Sequence, residues 1–180
     1  MRKVTVALLG GLVLPGALLV PAASASTTPY CGITWGSLGR SAGDYTAGPV
    51  DDARAGQHGC YDRFVVDLDG KPTGYRVQYV TTVRQDGSGH VVPLRGGAKL
   101  RIIVKAPAYD SAGRPTFPAT ESELVSVSGF RTFRQIAGAG SFEGQTTIGL
   151  GVRARLPFRV FVLDGPGTGS RLVIDVAHRW

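Results

Sequence analysis

Arginine and aspartate recur at a fixed spacing in two hexads, Arg63-Phe64-Val65-Val66-Asp67-Leu68 and Arg171-Leu172-Val173-Ile174-Asp175-Val176. Two carboxylates facing one sugar form the usual glycosidase arrangement, so Asp67 and Asp175 are the first candidates for chemistry. Their spacing argues for a structural role instead. Each Asp follows its Arg by four residues, which puts both on one face of a strand but about 13 Å apart, too far to pair within it. Were the hexads antiparallel neighbours, Arg63 would face Asp175 and Arg171 would face Asp67, as cross-strand ion pairs of small individual worth on an exposed surface.

Other catalytic patterns are missing. Gly-x-Ser-x-Gly is absent, and Ser141 within Gly140-Ser141-Phe142-Glu143-Gly144 has no nucleophile elbow around it. His58, His90 and His178 sit in polar turns or near the tail, where a solvated or satisfied imidazole is the simpler reading. His58 and Cys60 have no further ligands at zinc spacing, and no His-Glu-x-x-His occurs. The glycine-rich run 164–170 leads into a strand pattern and presents no lysine, unlike a phosphate loop. No catalytic set, metal or cofactor is expected.

Basic residues offer a better lead. Lys99, Arg101 and Lys105 share one side of a strand pattern, and Arg153, Arg155 and Arg159 share one side of another; alternate residues on a strand lie about 6.6 Å apart. Adjacent rows would form a positive face able to hold stem-peptide carboxylates or wall-polymer phosphates through forked guanidinium contacts. The same charges also serve as a solvated face that blunts aggregation. Tyr45, Tyr109 and Phe117 lie in expected loops, where an aromatic face can stack on a sugar. Trp35 and Trp180 can do the same, although tryptophans near the ends of a sheet domain more often close its core.

The elements that must position these residues are strands. Runs rich in β-branched and aromatic residues predict strands over 63–69, 75–83, 91–94, 98–106, 123–128, 130–137, 145–150, 152–156, 158–163 and 171–177, separated by turn signals such as Asp69-Gly70 and Asp164-Gly165. Alternation is clearest where Leu100, Ile102 and Val104 oppose Lys99, Arg101 and Lys105. This spacing predicts an all-β fold, a β-sandwich with little or no helix, and the matching hexads suggest internal pseudo-symmetry unless they match by coincidence. The best helical stretch is 119–124, with Thr120 and Glu123 as a capping box. Residues 37–59 read as a tethered loop, and the proline-containing stretch 107–118 as an exposed loop that carries function or merely connects strands.

Compartment is also legible. Residues 1–25 read as a secretory signal peptide: Arg2 and Lys3, an apolar stretch over 4–20, then Ala23-Ser24-Ala25. Gly10, Gly11, Pro15 and Gly16 interrupt that stretch, against a membrane span, and no later apolar run suggests one after cleavage. Without the leader the net charge is +5, from 18 basic and 13 acidic residues. No aromatic-basic interleaving points to nucleic acid as partner. Cys31 and Cys60, the only cysteines, predict one disulfide in an oxidising exterior. Lipidation at Cys31 is the rival reading, but Thr28-Pro29-Tyr30 lacks the small and aliphatic pattern of a lipoprotein signal. The expected organisation is a leader over 1–25, a disulfide-tethered segment over 26–60 and a sandwich core over 61–180.

The segments CGITWGS (31–37), CYDRFVVDLDG (60–70), GYRVQYV (74–80), VPLRGGAKLRIIVKAPAYD (92–110) and the tail from Gly129 resemble the AMIN-like domain of secreted actinobacterial proteins. That family is related to the AMIN domain, a β-sandwich that directs N-acetylmuramoyl-L-alanine amidases to peptidoglycan. The resemblance implies a sandwich and an envelope location, not amidase chemistry, which belongs to a separate zinc-binding unit. The expectation is a secreted, non-enzymatic module, wall-associated or released, that binds peptidoglycan or an anionic wall polymer. A secreted protein-binding or inhibitory domain using a strand edge or the proline loop is the alternative, ahead of a secreted hydrolase.

Overall fold

The computed structural model describes residues 28–71 and 74–180, so the expected leader lies outside the described residues. Among the described residues, one 3-10 turn, Tyr30–Gly32, precedes the strands. In chain order these are β1 (Arg40–Ala42), β2 (Val50–Gln57), β3 (Tyr61–Leu68), β4 (Tyr75–Val80), β5 (Val83–Arg84), β6 (Val91–Val92), β7 (Ala98–Val104), β8 (Phe133–Phe142), β9 (Gln145–Val152), β10 (Phe158–Asp164) and β11 (Ser170–Ala177). They form a five-stranded sheet ordered β1-β4-β7-β9-β8, a four-stranded sheet ordered β10-β11-β3-β2, and the small hairpin β5-β6. All pairings are antiparallel.

Alternation sorts side chains between the core and the outside. Leu100, Ile102 and Val104 of β7 are fully buried beside Ile148 and Leu150 of β9, and they share one core with Phe64 and Val66 of β3 and Leu172 and Ile174 of β11. This is the face-to-face packing of a β-sandwich. The outer face of the larger sheet carries a second cluster, where Val83 and Val92 of the β5-β6 hairpin meet Ala137 and Ala139 of β8. Gly151 permits the close approach of the chain after that hairpin: an added Cβ would stand 1.9 Å from the Arg95 carbonyl oxygen. The β8-β9 hairpin closes through Glu143 and Gly144, both at positive φ as a type I′ turn requires.

The two hexads are antiparallel neighbours in the smaller sheet, with Arg63 opposite Asp175 and Arg171 opposite Asp67. Several expectations change. Residues 37–59 hold β1 and β2 rather than an irregular loop. β2 was hidden by its edge position, where Asp51, Asp52 and Arg54 face solvent and only Val50 is fully buried. The stretch 119–124 is not helical; it runs beside β8, with Gly138 N–H donating to the Glu121 carbonyl at 2.7 Å and Gly140 N–H to Ala119 at 2.8 Å. Residues 123–128 likewise form turns and bends instead of a strand. The proline loop is docked, not free: Phe117 and Ala108 are buried, and the Thr116 hydroxyl donates to the Val50 carbonyl at 2.7 Å.

Residues 153–157 form a bend that carries the chain from one sheet to the other, not the expected strand. Tyr79 clamps it. Its hydroxyl donates to the Leu156 carbonyl at 2.7 Å and accepts from the Leu156 N–H at 3.0 Å. Burial pushes the Tyr79 phenol above its usual value of 10.0, against the opposing pull of the Leu156 contact and the Arg155 charge. The neutral phenol is therefore favoured in the folded state. Its contribution is complete below about pH 10 and is lost as pH rises through the elevated folded value, because the unfolded chain ionises first. Denaturation midpoints between about pH 9 and 11 should fall less steeply for Tyr79→Phe than for the parent. Parallel declines would show that this phenol is not the titrating group.

Candidate functional site

The charged centre of the outer face is an Arg-Asp-Arg row across three strands. Arg63 holds Asp175 with a fork, Nε to Oδ1 at 2.7 Å and Nη2 to Oδ2 at 2.9 Å, while Arg159 of β10 donates through Nε to Oδ2 at 2.8 Å. Asp175 is fully buried although its strand position points outward, because these arginines and neighbouring rings cover it. The Asp175 hydrogen bond raises the Arg63 guanidinium above its ordinary value, outweighing partial burial. The second hexad pair is different. Asp67 takes Arg54 of β2, and Arg171 donates to the Asp164 carbonyl at 2.9 Å, with no ion pair joining Arg171 to Asp67 among the described residues. Each carboxylate sits between two strands, and the outer strand supplies a basic partner at both positions.

Aromatic rings surround the row. The Arg159 guanidinium lies 5.6 Å from the Trp35 ring centre, 5.4 Å from Tyr61 and 5.1 Å from Phe161. Trp35 reaches this position because the segment before β1 is strapped to the body at two points. Cys31 is disulfide-bonded to Cys60, just ahead of β3. Gly36 exchanges backbone hydrogen bonds with Phe158 at the start of β10, at 3.3 and 2.6 Å.

The strap creates a groove. Tyr30, Ile33 and Trp35 of the strap line a concavity of about 330 Å3 together with Pro157 and Trp180. The size is at the low end for ligand sites. Trp35 Nε1 donates to the Tyr30 carbonyl at 2.9 Å, and Trp180 Nε1 to the Arg155 carbonyl at 3.2 Å, so both indoles are oriented by their polar ends. Trp180 nevertheless remains 70% exposed. Arg179 covers Tyr30 at 4.6 Å. An exposed, oriented indole beside the half-buried rings of Trp35 and Tyr30 suits a ligand with an apolar face and a polar rim, such as a pyranose ring.

The six basic residues expected to form one positive face are dispersed. Lys99 and Arg101 lie on β7, while Lys105 just beyond it donates to the Gly43 carbonyl at 2.7 Å. Arg153 binds the His178 carbonyl and Arg155 the Ser37 carbonyl, both from the bend between sheets; Arg159 serves Asp175. Lys99 and Arg155 do meet, together with Tyr79 and Thr81, at a shallow recess of about 540 Å3. Tyr45 is exposed and its hydroxyl reaches Gln145 at 3.2 Å; Tyr109 donates no ring to the groove, its hydroxyl accepting from the Gly144 N–H at 3.3 Å.

An Asp-His pair lies inside the fold. Asp62 Oδ1 and His178 Nε2 are 3.0 Å apart, and Asp62 Oδ2 accepts from the Thr132 and Phe133 N–H groups at 2.6 and 3.0 Å. The pair is buried and ties β3 to β8, and among the described residues no hydroxyl bonds the free Nδ1 of His178. Among the described residues, no group of three or more His, Cys, Asp or Glu side chains is placed to hold a metal ion. No helix among them is long and apolar enough to cross a membrane.

Sequence reading missed Tyr30 and Pro157, because the groove joins segments far apart in the chain. The one available signal was the cysteine standing between Tyr30 and Trp35, whose partner Cys60 precedes another aromatic, Tyr61. Comparison with curated proteins and with solved structures finds no match. The AMIN-like domain family matches residues 48–178, which takes in both sheets except β1, while Tyr30, Trp35, Arg40 and Trp180 flank the match. Covering most of the chain, that match makes this protein a member of the AMIN-like domain family.

Proposed function

We propose that the protein is an exported, non-enzymatic binding module of the cell envelope that holds the glycan of peptidoglycan in the groove between Tyr30, Trp35 and Trp180. The observation behind this reading is the groove itself: three aromatic rings from two separate segments, Tyr30 and Trp35 of the strap and Trp180 of the tail, converge on one concavity. Family membership supports an envelope role, and a disulfide accords with an oxidising exterior. The N-acetylated pyranoses of the glycan present apolar C–H faces to the rings and hydroxyl and amide groups to the rim.

The chain's two tryptophans both line the groove, so their fluorescence reports occupancy directly. Titration with the neutral N-acetylglucosamine tetramer should shift that emission in a saturable way. Trp180→Ala, at an exposed position that leaves the core untouched, should weaken binding about 30-fold, as loss of a central aromatic anchor does. Equal affinity in the variant would overturn this assignment.

A further inference from the structure

We propose that a recess beside the groove is a carboxylate subsite formed by Arg40 and Arg159. This rests on the groove being a peptidoglycan site and adds the charged group taken next to the sugar. The recess, of about 370 Å3, lies where β1 and β4 at the edge of one sheet approach β10 at the edge of the other, and it is lined by Thr34, Arg40, Ser41, Tyr75, Arg159 and Val160. Thr34 lines the aromatic groove as well, so the two concavities are neighbours that share one residue.

The groups present suit a carboxylate. Arg159 uses Nε and Nη2 on Asp175, leaving the trio of Arg63, Asp175 and Arg159 with one excess positive charge. Arg40 adds another, and among the described residues its guanidinium meets no carboxylate and no hydrogen-bond acceptor, a fork left open for a ligand. It lies across the strap at Gly36, where an added Cβ would stand 2.6 Å from Nη2, so the bare glycine makes room for it. The hydroxyls of Thr34, Ser41 and Tyr75 are likewise without partners among the described residues and can complete the shell. A glycan whose peptide substituents carry free carboxylates offers both a sugar face and an anion within one short reach.

Three probes separate the outcomes: a soluble disaccharide-tripeptide from peptidoglycan, the same fragment with its carboxylates converted to methyl esters, and the neutral N-acetylglucosamine tetramer. Arg40 is exposed, and Arg40→Gln is checked for an unchanged thermal midpoint. The variant should bind the acidic fragment about tenfold more weakly, matching the parent's affinity for the ester, with the tetramer unaffected. Undiminished binding of the acidic fragment by Arg40→Gln overturns the subsite while leaving the groove in place. Failure of the parent to bind any probe overturns both. Displacement of the acidic fragment by inorganic phosphate but not by acetate would assign the recess to phosphate and overturn the carboxylate reading.

Discussion

Replacing Asp175 with alanine is expected to destabilise the fold by about 3 kcal/mol, the low end for breaking a buried ion pair because both arginines retain some contact with water. The side chain is fully buried, whereas those of Arg63 and Arg159 are 25% and 32% exposed. Without the carboxylate, two guanidinium groups face one another across β11 among the rings of Trp35, Tyr61 and Phe161, with nothing to neutralise them. Asp67→Ala is the internal control. Its partner Arg54 is half exposed, so the loss there should stay below about 1 kcal/mol. Chemical denaturation of the two variants measures the contrast, and equal losses would show that the Arg-Asp-Arg row is not the stronger member of the hexad pair.

Removing the disulfide should cost about as much and in a more localised way. Cys31 and Cys60 are separated by 29 positions, and the chain-entropy model assigns a loop of that length about 3.5 kcal/mol. Residues 28–36 depend on this bridge together with the Gly36-Phe158 contact and the packing of Trp35, so its loss frees the wall of the groove before the core. The double variant Cys31→Ser/Cys60→Ser should therefore lose glycan binding at temperatures where the sandwich remains folded by far-ultraviolet circular dichroism. Retained binding with an unchanged denaturation midpoint would show that the bridge organises nothing.

The parts legible in the sequence were those where local pattern and tertiary environment agree. Leu100, Ile102 and Val104 alternate with charged residues because β7 is central in its sheet and buries one face; Phe64 and Val66, like Leu172 and Ile174, fill the same core from the hexads, whose intervening Val65 and Val173 are buried as well. Strand β2 was illegible for the opposite reason, since an edge strand needs few apolar residues and Ala53 and Ala55 pack only partly. Residues 152–156 misled because Arg153, Ala154 and Arg155 mimic alternation, yet the chain must leave one sheet there and enter the other. The groove and recess follow from that crossing and from the strap. Tyr30, Pro157 and Trp180 line one concavity, and Arg40 the recess next to it, although they lie far apart in the chain; the disulfide and the Gly36-Phe158 bridge hold the strap that carries Tyr30 against the body.

Binding to the polymer itself is read by co-sedimentation of the purified protein with insoluble peptidoglycan, comparing the parent with Trp180→Ala. The parent should pellet with the polymer in a saturable manner, and the variant, equally folded, should stay largely in the supernatant. A parent that remains in solution, or a variant that pellets as well as the parent, would contradict it.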